Sequence, residues 1–226
     1  MFPDAEELAD QAARAVAAVA AETMTGRRVS IGLAGGSTPA STYQRLAHDR
    51  AGWEGVELWL SDERWVPPHH LDSNGRMVEE ILGPTARIHR PRYSEFLTAA
   101  DSAAHYEALL RRLHAATPPD LILLGMGTDG HTASLFPDTH ALEVTGRHYV
   151  ANWVEALDTW RLTATFDLIA SARHVLVLVA GASKAEPLAR AIEDPECHHP
   201  IRTVFDMADN LHLFIDQDAA SALSDR

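Results

Sequence analysis

Short apolar segments alternate with helical segments along this chain, and this alternation limits the fold more than any other feature. We predict strands at residues 29–33, 56–60, 121–124, 149–154, 162–166, 175–180 and 211–215, with a weaker one at 87–89. We predict helices at residues 4–25, 37–48, 73–82, 99–115 and 184–192. The pattern is typical of an α/β protein with a mostly parallel sheet covered by helices on both faces. No repeat or linker interrupts it, so we expect residues 1–226 to form one domain, and a small extra β lobe is compatible with it.

The charge balance limits the partners of the chain. It has 19 basic and 32 acidic side chains and a net charge of −13, so its mean field repels nucleic acid and anionic membranes. A bound anion would need a local cationic pocket. The single cysteine, Cys197, excludes an internal disulfide and indicates a reducing compartment. No apolar run reaches about 18 residues and the N-terminus lacks a basic region, so we expect a cytoplasmic protein without a membrane span or secretory signal.

Four strand exits contain residues suited to chemistry, because ligands of α/β sheets bind beyond the carboxyl ends of the strands. The first exit contains Gly35, Gly36, Ser37 and Thr38. Glycines let the backbone approach a ligand, and the N–H groups at the start of the next helix attract an anion. We predict an anion site here; a tight turn in which Ser37 caps the helix fits the spacing equally well.

The second exit places three charged residues, Asp62, Glu63 and Arg64, after a wholly apolar strand. Consecutive charges are usually found on a solvated surface loop. The apolar strand nevertheless puts these side chains at the functional edge of the sheet, so we predict a ligand-binding role. Asn74 follows in a segment that could also serve only to cap a helix.

The third exit is rich in glycine and contains Asp129, Gly130 and His131. Its Gly-x-Gly-x-x-Gly spacing matches the dinucleotide-binding pattern, but that pattern opens a long helix, and Pro137 follows too soon. We instead predict a loop that presents His131 as a general base, because an imidazole titrates near neutral pH. Asp129 could fix its tautomer and stabilise the imidazolium. A histidine that only caps or packs is the alternative.

The fourth exit contains the only lysine of the chain, Lys184; the other 18 basic side chains are arginines. Lys184 follows the most apolar strand and stands at the start of a helix, where an ammonium and the helix dipole together could hold a phosphate. Codon bias with one surviving lysine is the alternative explanation. Arg161, at the start of another strand, could supply a second cation.

Several other patterns of catalysis or metal binding are missing. There is neither a Gly-x-Ser-x-Gly nor a His-Glu-x-x-His pattern. Cys197 and the two histidines after it are consecutive, and consecutive side chains diverge rather than meet at one metal ion. We therefore expect no metal site and no nucleophilic role for Cys197.

Taken together, the four exits resemble the 6-phosphogluconolactonases, which belong to a superfamily of sugar-phosphate isomerases and deaminases. The similar segments, in the family's order, are GLAGGSTP at 32–39, DERWVP at 62–67 with DSN at 72–74, LLGMGTDGHTASLFP at 123–137, and Arg161-x-Thr163 with Lys184-Ala185. The resemblance implies a three-layer α/β/α, Rossmann-like fold. It also implies hydrolysis of 6-phospho-D-glucono-1,5-lactone, the second step of the oxidative pentose phosphate pathway, without a cofactor and with a small phosphorylated sugar lactone as partner.

The resemblance further implies roles for individual residues. His131 would take a proton from the attacking water, Asp129 would support it, and Arg64 would face the developing oxyanion or hold the sugar. The phosphate would lie on the loop at residues 36–38, and Arg161 and Lys184 would supply positive charge to it. The substrate-binding residues implied are Gly35, Gly36, Ser37, Thr38, Asp62, Glu63, Asn74, Gly130, Arg161 and Lys184.

Three positions depart from the family pattern and put local loop geometry in question. Thr128 replaces a usual proline, and Asp167 and Ala170 stand where the family shows a proline and an asparagine. Two other functions stay open. One is a glucosamine-6-phosphate deaminase, although the Asn-Glu-Pro tail after its histidine is absent here. The other is a sugar-phosphate-binding module without activity. A monomer and a weak homo-oligomer are both compatible with the sequence.

Overall fold

Strands and helices alternate along the computed structural model, which describes residues 1–49, 52–94 and 97–224. The strands are β1 (Val29–Leu33), β2 (Val56–Leu60), β3 (Asp62–Arg64), β4 (Ile88–His89), β5 (Leu121–Gly125), β6 (Tyr149–Val154), β7 (Thr159–Ala164), β8 (Val175–Val179) and β9 (Leu211–Ile215). The α-helices are α1 (Ala5–Ala21), α2 (Ser37–Asp49), α3 (Asn74–Leu82), α4 (Ala99–Leu113), α5 (Phe166–Ser171), α6 (Ala185–Glu193), α7 (Pro200–Met207) and α8 (Gln217–Ala220).

Six parallel strands form the central sheet, in the order β4-β2-β1-β5-β8-β9. The chain moves outward from β1 to β2 and β4, then returns to the other side of β1 with β5 and continues to β8 and β9. The direction of the connections therefore reverses between β1 and β5. At such a point an α/β sheet opens a crevice beyond the carboxyl ends of its strands.

Helices cover both faces of the sheet, because successive side chains of a strand point to opposite faces. Leu121 and Leu123 of β5 pack in the core under α1, α2 and α3. Ile122 and Leu124 pack in a second core, under the helices α4 to α8. The predicted three-layer α/β/α fold is confirmed.

A second sheet of three antiparallel strands, in the order β3-β7-β6, is the small β lobe. Ser61 joins the two sheets. Its N–H donates to the Leu33 carbonyl at the end of β1 at 2.8 Å, and its own carbonyl accepts from the Ala164 N–H of β7 at 2.8 Å. Residues 62–64, which we predicted as an exit loop, instead form β3, since pairing with β7 satisfies their backbone groups.

Most of the predicted elements are confirmed, and β1, β2, β6 and β9 have the predicted bounds. Strand β7 ends two residues early because Thr165 caps a short helix, α5, that was not predicted; α7 and α8 were also not predicted. Helix α2 begins at Ser37 itself, so Ser37 is its first residue and not its cap. None of the helices in the described part of the chain is long and apolar enough to cross a membrane.

Candidate active site

A cleft of about 210 Å³ opens at the carboxyl edge of the central sheet, between the ends of β1, β5 and β8 and strand β3. All four predicted exits contribute to its wall. The predicted site residues that line it are Gly35, Gly36, Ser37, Thr38, Asp62, Arg64, His131 and Lys184. The predicted residues that lie outside its lining are Glu63, Asn74, Asp129, Gly130 and Arg161. The structure thus brings most of the predicted site together and puts the rest around it.

The β1 exit turns sharply into helix α2. Gly36 has a φ of 103°, a conformation that favours glycine, and its carbonyl accepts from Ala40 N–H at 3.0 Å in the first helical turn. A Cβ on Gly35 would lie 1.9 Å from Oδ1 of Asn74, so the two exits meet only because this residue is glycine. The first N–H groups of α2 have no carbonyl partner within the helix, and Ser37 and Thr38 thus border the cleft with donors suited to an anion.

The β5 exit holds a histidine–carboxylate pair. Nδ1 of His131 lies 2.5 Å from Oδ1 of Asp129, and the same oxygen accepts the backbone N–H of His131 at 3.1 Å. Burial opposes ionisation of Asp129, but the hydrogen bonds and charge of His131 outweigh it and lower the pKa of Asp129 to about 2. An ionised carboxylate only accepts, so Nδ1 donates and Nε2 is the ring nitrogen that can take up a proton.

Two further contacts fix the plane of the imidazole. The ring of Phe136 stacks on His131, with centroids 4.1 Å apart and 24° between the planes. A Cβ on Gly127 would lie 2.1 Å from Nδ1 of His131, so the backbone passes directly beside the ring. The Gly127 N–H also donates to the His131 carbonyl at 2.8 Å, which closes the loop. His131 is therefore held on one face, one edge and one nitrogen.

Two arginines stand side by side on the small sheet. Arg64 of β3 is directly opposite Arg161 of β7, and only Arg64 lines the cleft. Burial and the charge of Arg64 lower the pKa of Arg161, partly offset by Asp62. Arg64 donates to the Asp72 carbonyl at 2.7 Å, and among the described residues neither guanidinium forms an ion pair. Like charges opposite each other are destabilising unless an anion joins them.

Asp62 is a buried carboxylate, 6% exposed, at the wall of the cleft. It accepts from Oγ of Ser134 at 2.7 Å and from Nδ2 of Asn74 at 3.1 Å. Ser134 also accepts, through its backbone carbonyl, from Nδ2 of Asn152 at 3.0 Å. Asp62, Asn74 and the loop after His131 are thus fixed in one polar network.

Glu63 points away from the cleft and caps helix α3. Its carboxylate accepts from the backbone N–H groups of Arg64, Asn74 and Gly75 at 2.7–2.8 Å, and from Oγ of Ser73 at 3.0 Å. Burial raises the pKa of Glu63, and these four donors limit the rise. The contacts of Glu63 are structural, because they fix the β2 exit to the start of α3.

Lys184 reaches the cleft from a short 3-10 helix at Ala182–Lys184, which begins after Gly181. Burial lowers the pKa of Lys184, and the charge of Asp129 opposes that effect. Its ammonium forms no ion pair within the described residues, although the chain has 32 acidic side chains. Lys184 and His131 line the same cleft, so the two ends of the predicted site are close.

Gly130 lies behind the cleft, with a φ of 76°. A Cβ there would lie 2.3 Å from Cγ of His199, and the Gly130 carbonyl accepts from Ile201 N–H at 3.0 Å. Gly130 therefore shapes the loop that carries His131.

Cys197 is buried. Among the described residues, no three His, Cys, Asp or Glu side chains cluster as a metal site requires.

Sequence reasoning missed the residues that hold the site from behind. Phe136 stacks on His131, and Ser134 donates to Asp62. Both contacts depend on a turn of the chain at Ala133, which has a φ of 48°. The uncommon conformation of Ala133 has no sequence signal. The clustering of small residues after His131 was the one available indication of a compact turn.

A model of the family "Glucosamine-6-phosphate isomerases/6-phosphogluconolactonase" matches residues 3–213. The chain belongs to this family. A 6-phosphogluconolactonase of Synechocystis is 38% identical over 207 residues, which are 86% of this chain and 84% of that protein. One of Rhizobium meliloti is 37% identical over 210 residues, 88% of each chain. The crystal structure of a 6-phosphogluconolactonase from Shewanella baltica superposes with a TM-score of 0.86 at 30% identity, covering 95% of both chains.

Membership in the glucosamine-6-phosphate isomerase/6-phosphogluconolactonase family agrees with the geometry of the cleft. The family name covers two activities on sugar phosphates. The site has one histidine–carboxylate pair and three cations, Arg64, Arg161 and Lys184, that form no ion pair with any described residue. Such a site suits a phosphorylated sugar. The two activities in the family name, isomerisation of glucosamine 6-phosphate and hydrolysis of 6-phosphogluconolactone, must then be distinguished by the residues around His131.

Proposed function

We propose that this protein is a 6-phosphogluconolactonase, which hydrolyses 6-phospho-D-glucono-1,5-lactone to 6-phospho-D-gluconate. The observation that carries the proposal is the cleft in which the paired His131 faces the same space as Arg64 and Lys184. The protein is strongly acidic, and yet these two cations form no ion pair with any residue that the structure describes, which supports a local site for an anion.

The chemistry needs only groups that the cleft supplies. Nε2 of His131 takes a proton from a water molecule, and the water oxygen bonds to the lactone carbonyl carbon. The resulting oxyanion is stabilised by Arg64. When the bond from that carbon to the ring oxygen breaks, the imidazolium returns the proton to the ring oxygen, which becomes a hydroxyl. The carboxylic acid then loses its proton to solvent.

Asp129 supports His131 through both forms of the imidazole. Because the pKa of Asp129 is lowered to about 2, it stays ionised at neutral pH and accepts from Nδ1–H. It thereby keeps Nε2 as the basic nitrogen and stabilises the positive charge that forms. General acid–base catalysis of this kind contributes about 10²–10⁴-fold.

The phosphate would lie between the start of α2 and Lys184. Ser37 and Thr38 offer hydroxyl and backbone donors, and Lys184 offers an ammonium. Arg161 would contribute its charge from its position beside Arg64 on the paired strand β7. Asp62, fixed by Ser134 and Asn74, would accept from a sugar hydroxyl. In this arrangement the two ends of the substrate contact different exits.

The alternative activity, deamination of glucosamine 6-phosphate, fits the loop less well. The deaminases that this chain resembles have a glutamate after their histidine, whereas here residues 132–137 read TASLFP. Phe136 and Asp129 are the contacts that His131 makes instead. A binding module without activity is disfavoured because the base and its carboxylate are both present.

The proposed reaction would serve the oxidative pentose phosphate pathway in the cytoplasm.

The test is a coupled assay in which the lactone is generated enzymatically and 6-phosphogluconate is measured, with correction for spontaneous ring opening. We expect His131→Ala to lower kcat/KM by about 10²–10⁴-fold. His140→Ala is the matched control, because His140 is exposed and outside the cleft. Equal rates for His131→Ala and wild type would refute the assignment of His131 as the general base. Release of ammonia from glucosamine 6-phosphate would instead favour the deaminase activity.

A further inference from the structure

The buried carboxylate of Asp216 contacts the turn that carries Lys184. Asp216 follows β9, is 3% exposed and lies outside the lining of the cleft. Strands β8 and β9 are paired up to Val179 and Ile215, so their ends are level. Both carboxylate oxygens of Asp216 accept from the backbone N–H of Gly181 at 3.0 Å. A carboxylate at the end of β9 therefore fixes Gly181, the second residue after the end of the neighbouring strand β8.

Gly181 lies between the end of β8 and the short 3-10 helix that carries Lys184. Its φ of 93° is a conformation that favours glycine, and its carbonyl accepts from the Lys184 N–H at 3.0 Å. The N–H of Gly181 is thus bound to Asp216, and its carbonyl is bound to Lys184. Among the described residues the Lys184 ammonium forms no ion pair, so this turn sets its position.

We infer that Asp216 is a positioning residue for Lys184, and through it for the phosphate of the substrate. The inference rests on the proposed phosphate-binding role of Lys184. Asp216 also caps α8, since its Oδ1 accepts from Ala219 N–H at 2.7 Å. The role in positioning and the role in capping must therefore be separated by the choice of variant.

Asp216→Asn separates them. An asparagine retains Oδ1, which can still accept from Ala219 N–H and cap α8. Its NH₂ group replaces Oδ2, 3.0 Å from the Gly181 nitrogen, where two donors repel and oppose the remaining bond from Gly181 N–H to Oδ1. The electrostatic effect of the same change has the opposite sign. Removing a negative charge near an anion site strengthens anion binding, whereas misplacing Lys184 weakens it. The direction of the change in affinity thus distinguishes positioning from bulk charge.

The experiment measures the Kd of inorganic phosphate by calorimetry and the hydrolysis of phosphorylated and unphosphorylated gluconolactone. For Asp216→Asn we expect the Kd of phosphate and the KM of the phosphorylated lactone to rise about fivefold or more, with kcat/KM for the unphosphorylated lactone within about twofold of wild type. In a Lys184→Ala background, Asp216→Asn should not weaken phosphate binding any further. Asp101→Asn is the control, because Asp101 accepts a backbone N–H at the start of another helix, α4, and lies outside the lining of the cleft.

Three results would overturn the inference. One is an unchanged or lower Kd of phosphate in Asp216→Asn. Another is an equal loss with both lactones, which indicates general damage to the fold. The third is a wild-type protein that binds no phosphate. If wild type binds phosphate and Asp216→Asn weakens it but neither lactone is hydrolysed, the positioning role stands and the proposed lactonase activity fails.

Discussion

Asp129 uses a single carboxylate oxygen, Oδ1, to accept both the ring Nδ1–H and the backbone N–H of His131, at 2.5 and 3.1 Å. The side chain and the main chain of the histidine are therefore fixed by the same atom. This makes the orientation of the imidazole depend on Asp129 more than on the loop alone.

Asp129→Asn should lower kcat by about 10²-fold or more, with little change in KM. An asparagine keeps an acceptor oxygen but presents a neutral amide, so the imidazolium loses its counter-charge and the preference for Nε2 as the basic nitrogen is weakened. Steady-state kinetics with the phosphorylated lactone measures the effect. Asp138→Asn, an exposed residue of the same loop, is the control. A wild-type kcat for Asp129→Asn would remove Asp129 from the mechanism.

Gly127→Ala should reduce kcat/KM by about 10²-fold, because a Cβ would lie 2.1 Å from Nδ1 of His131 and 2.6 Å from Oδ1 of Asp129. The pair must separate to admit the methyl group. Overpacking of this kind costs about 1–3 kcal/mol of unfolding free energy, so the protein should still fold. Thr128→Ala, next along the chain and exposed, should be neutral. Full activity in a folded Gly127→Ala protein would show that the loop adapts without moving His131.

Lys184→Ala should raise the KM of the phosphorylated lactone by about 10–100-fold, since a charge-assisted hydrogen bond contributes about 1.5–3 kcal/mol. The KM of unphosphorylated gluconolactone should not change. Arg190→Ala removes one positive charge from the following helix, α6, and controls for long-range electrostatics. If both variants raise the KM alike, the effect is one of net charge and Lys184 does not contact the phosphate.

The sequence predicted the architecture because each buried strand is apolar and each exit is marked by glycine or charge. It did not predict β3. Asp62, Glu63 and Arg64 have no strand propensity, and they are stable there only because Ser134, the start of α3 and β7 satisfy them. Those partners lie 10 to 100 residues away and meet only in the folded chain.

The candidate site likewise contains residues that the sequence predicts and residues that it does not. Residues that touch the cleft, such as His131 and Lys184, were visible because their type is unusual for their place in the sequence. Residues that hold them were not visible. Phe136 depends on the turn at Ala133, and Asp216 depends on the pairing of β8 with β9. A phenylalanine or an aspartate at those positions is indistinguishable from a packing or capping residue until the tertiary contacts are known.

A half-buried histidine, His114, at the opposite end of the sheet should make the stability of the fold depend on pH. Burial, together with the charge of His148, lowers the pKa of His114 to about 4, and its Nε2 lies 2.8 Å from Oγ of Ser30. In the unfolded chain a histidine titrates near 6.5, so the unfolded state takes up its proton first as the pH falls. The contribution of neutral His114 to the free energy of unfolding is therefore fully present above about pH 6.5 and is lost as the pH falls toward 4.

Because the ring is partly exposed, we expect this contribution to be about 1–2 kcal/mol, and urea unfolding between pH 4.5 and 8 measures it. His114→Gln keeps a partner for Ser30 but does not titrate, so its stability should fall less over this range. Parallel pH profiles for the two proteins would assign the acid sensitivity to other groups.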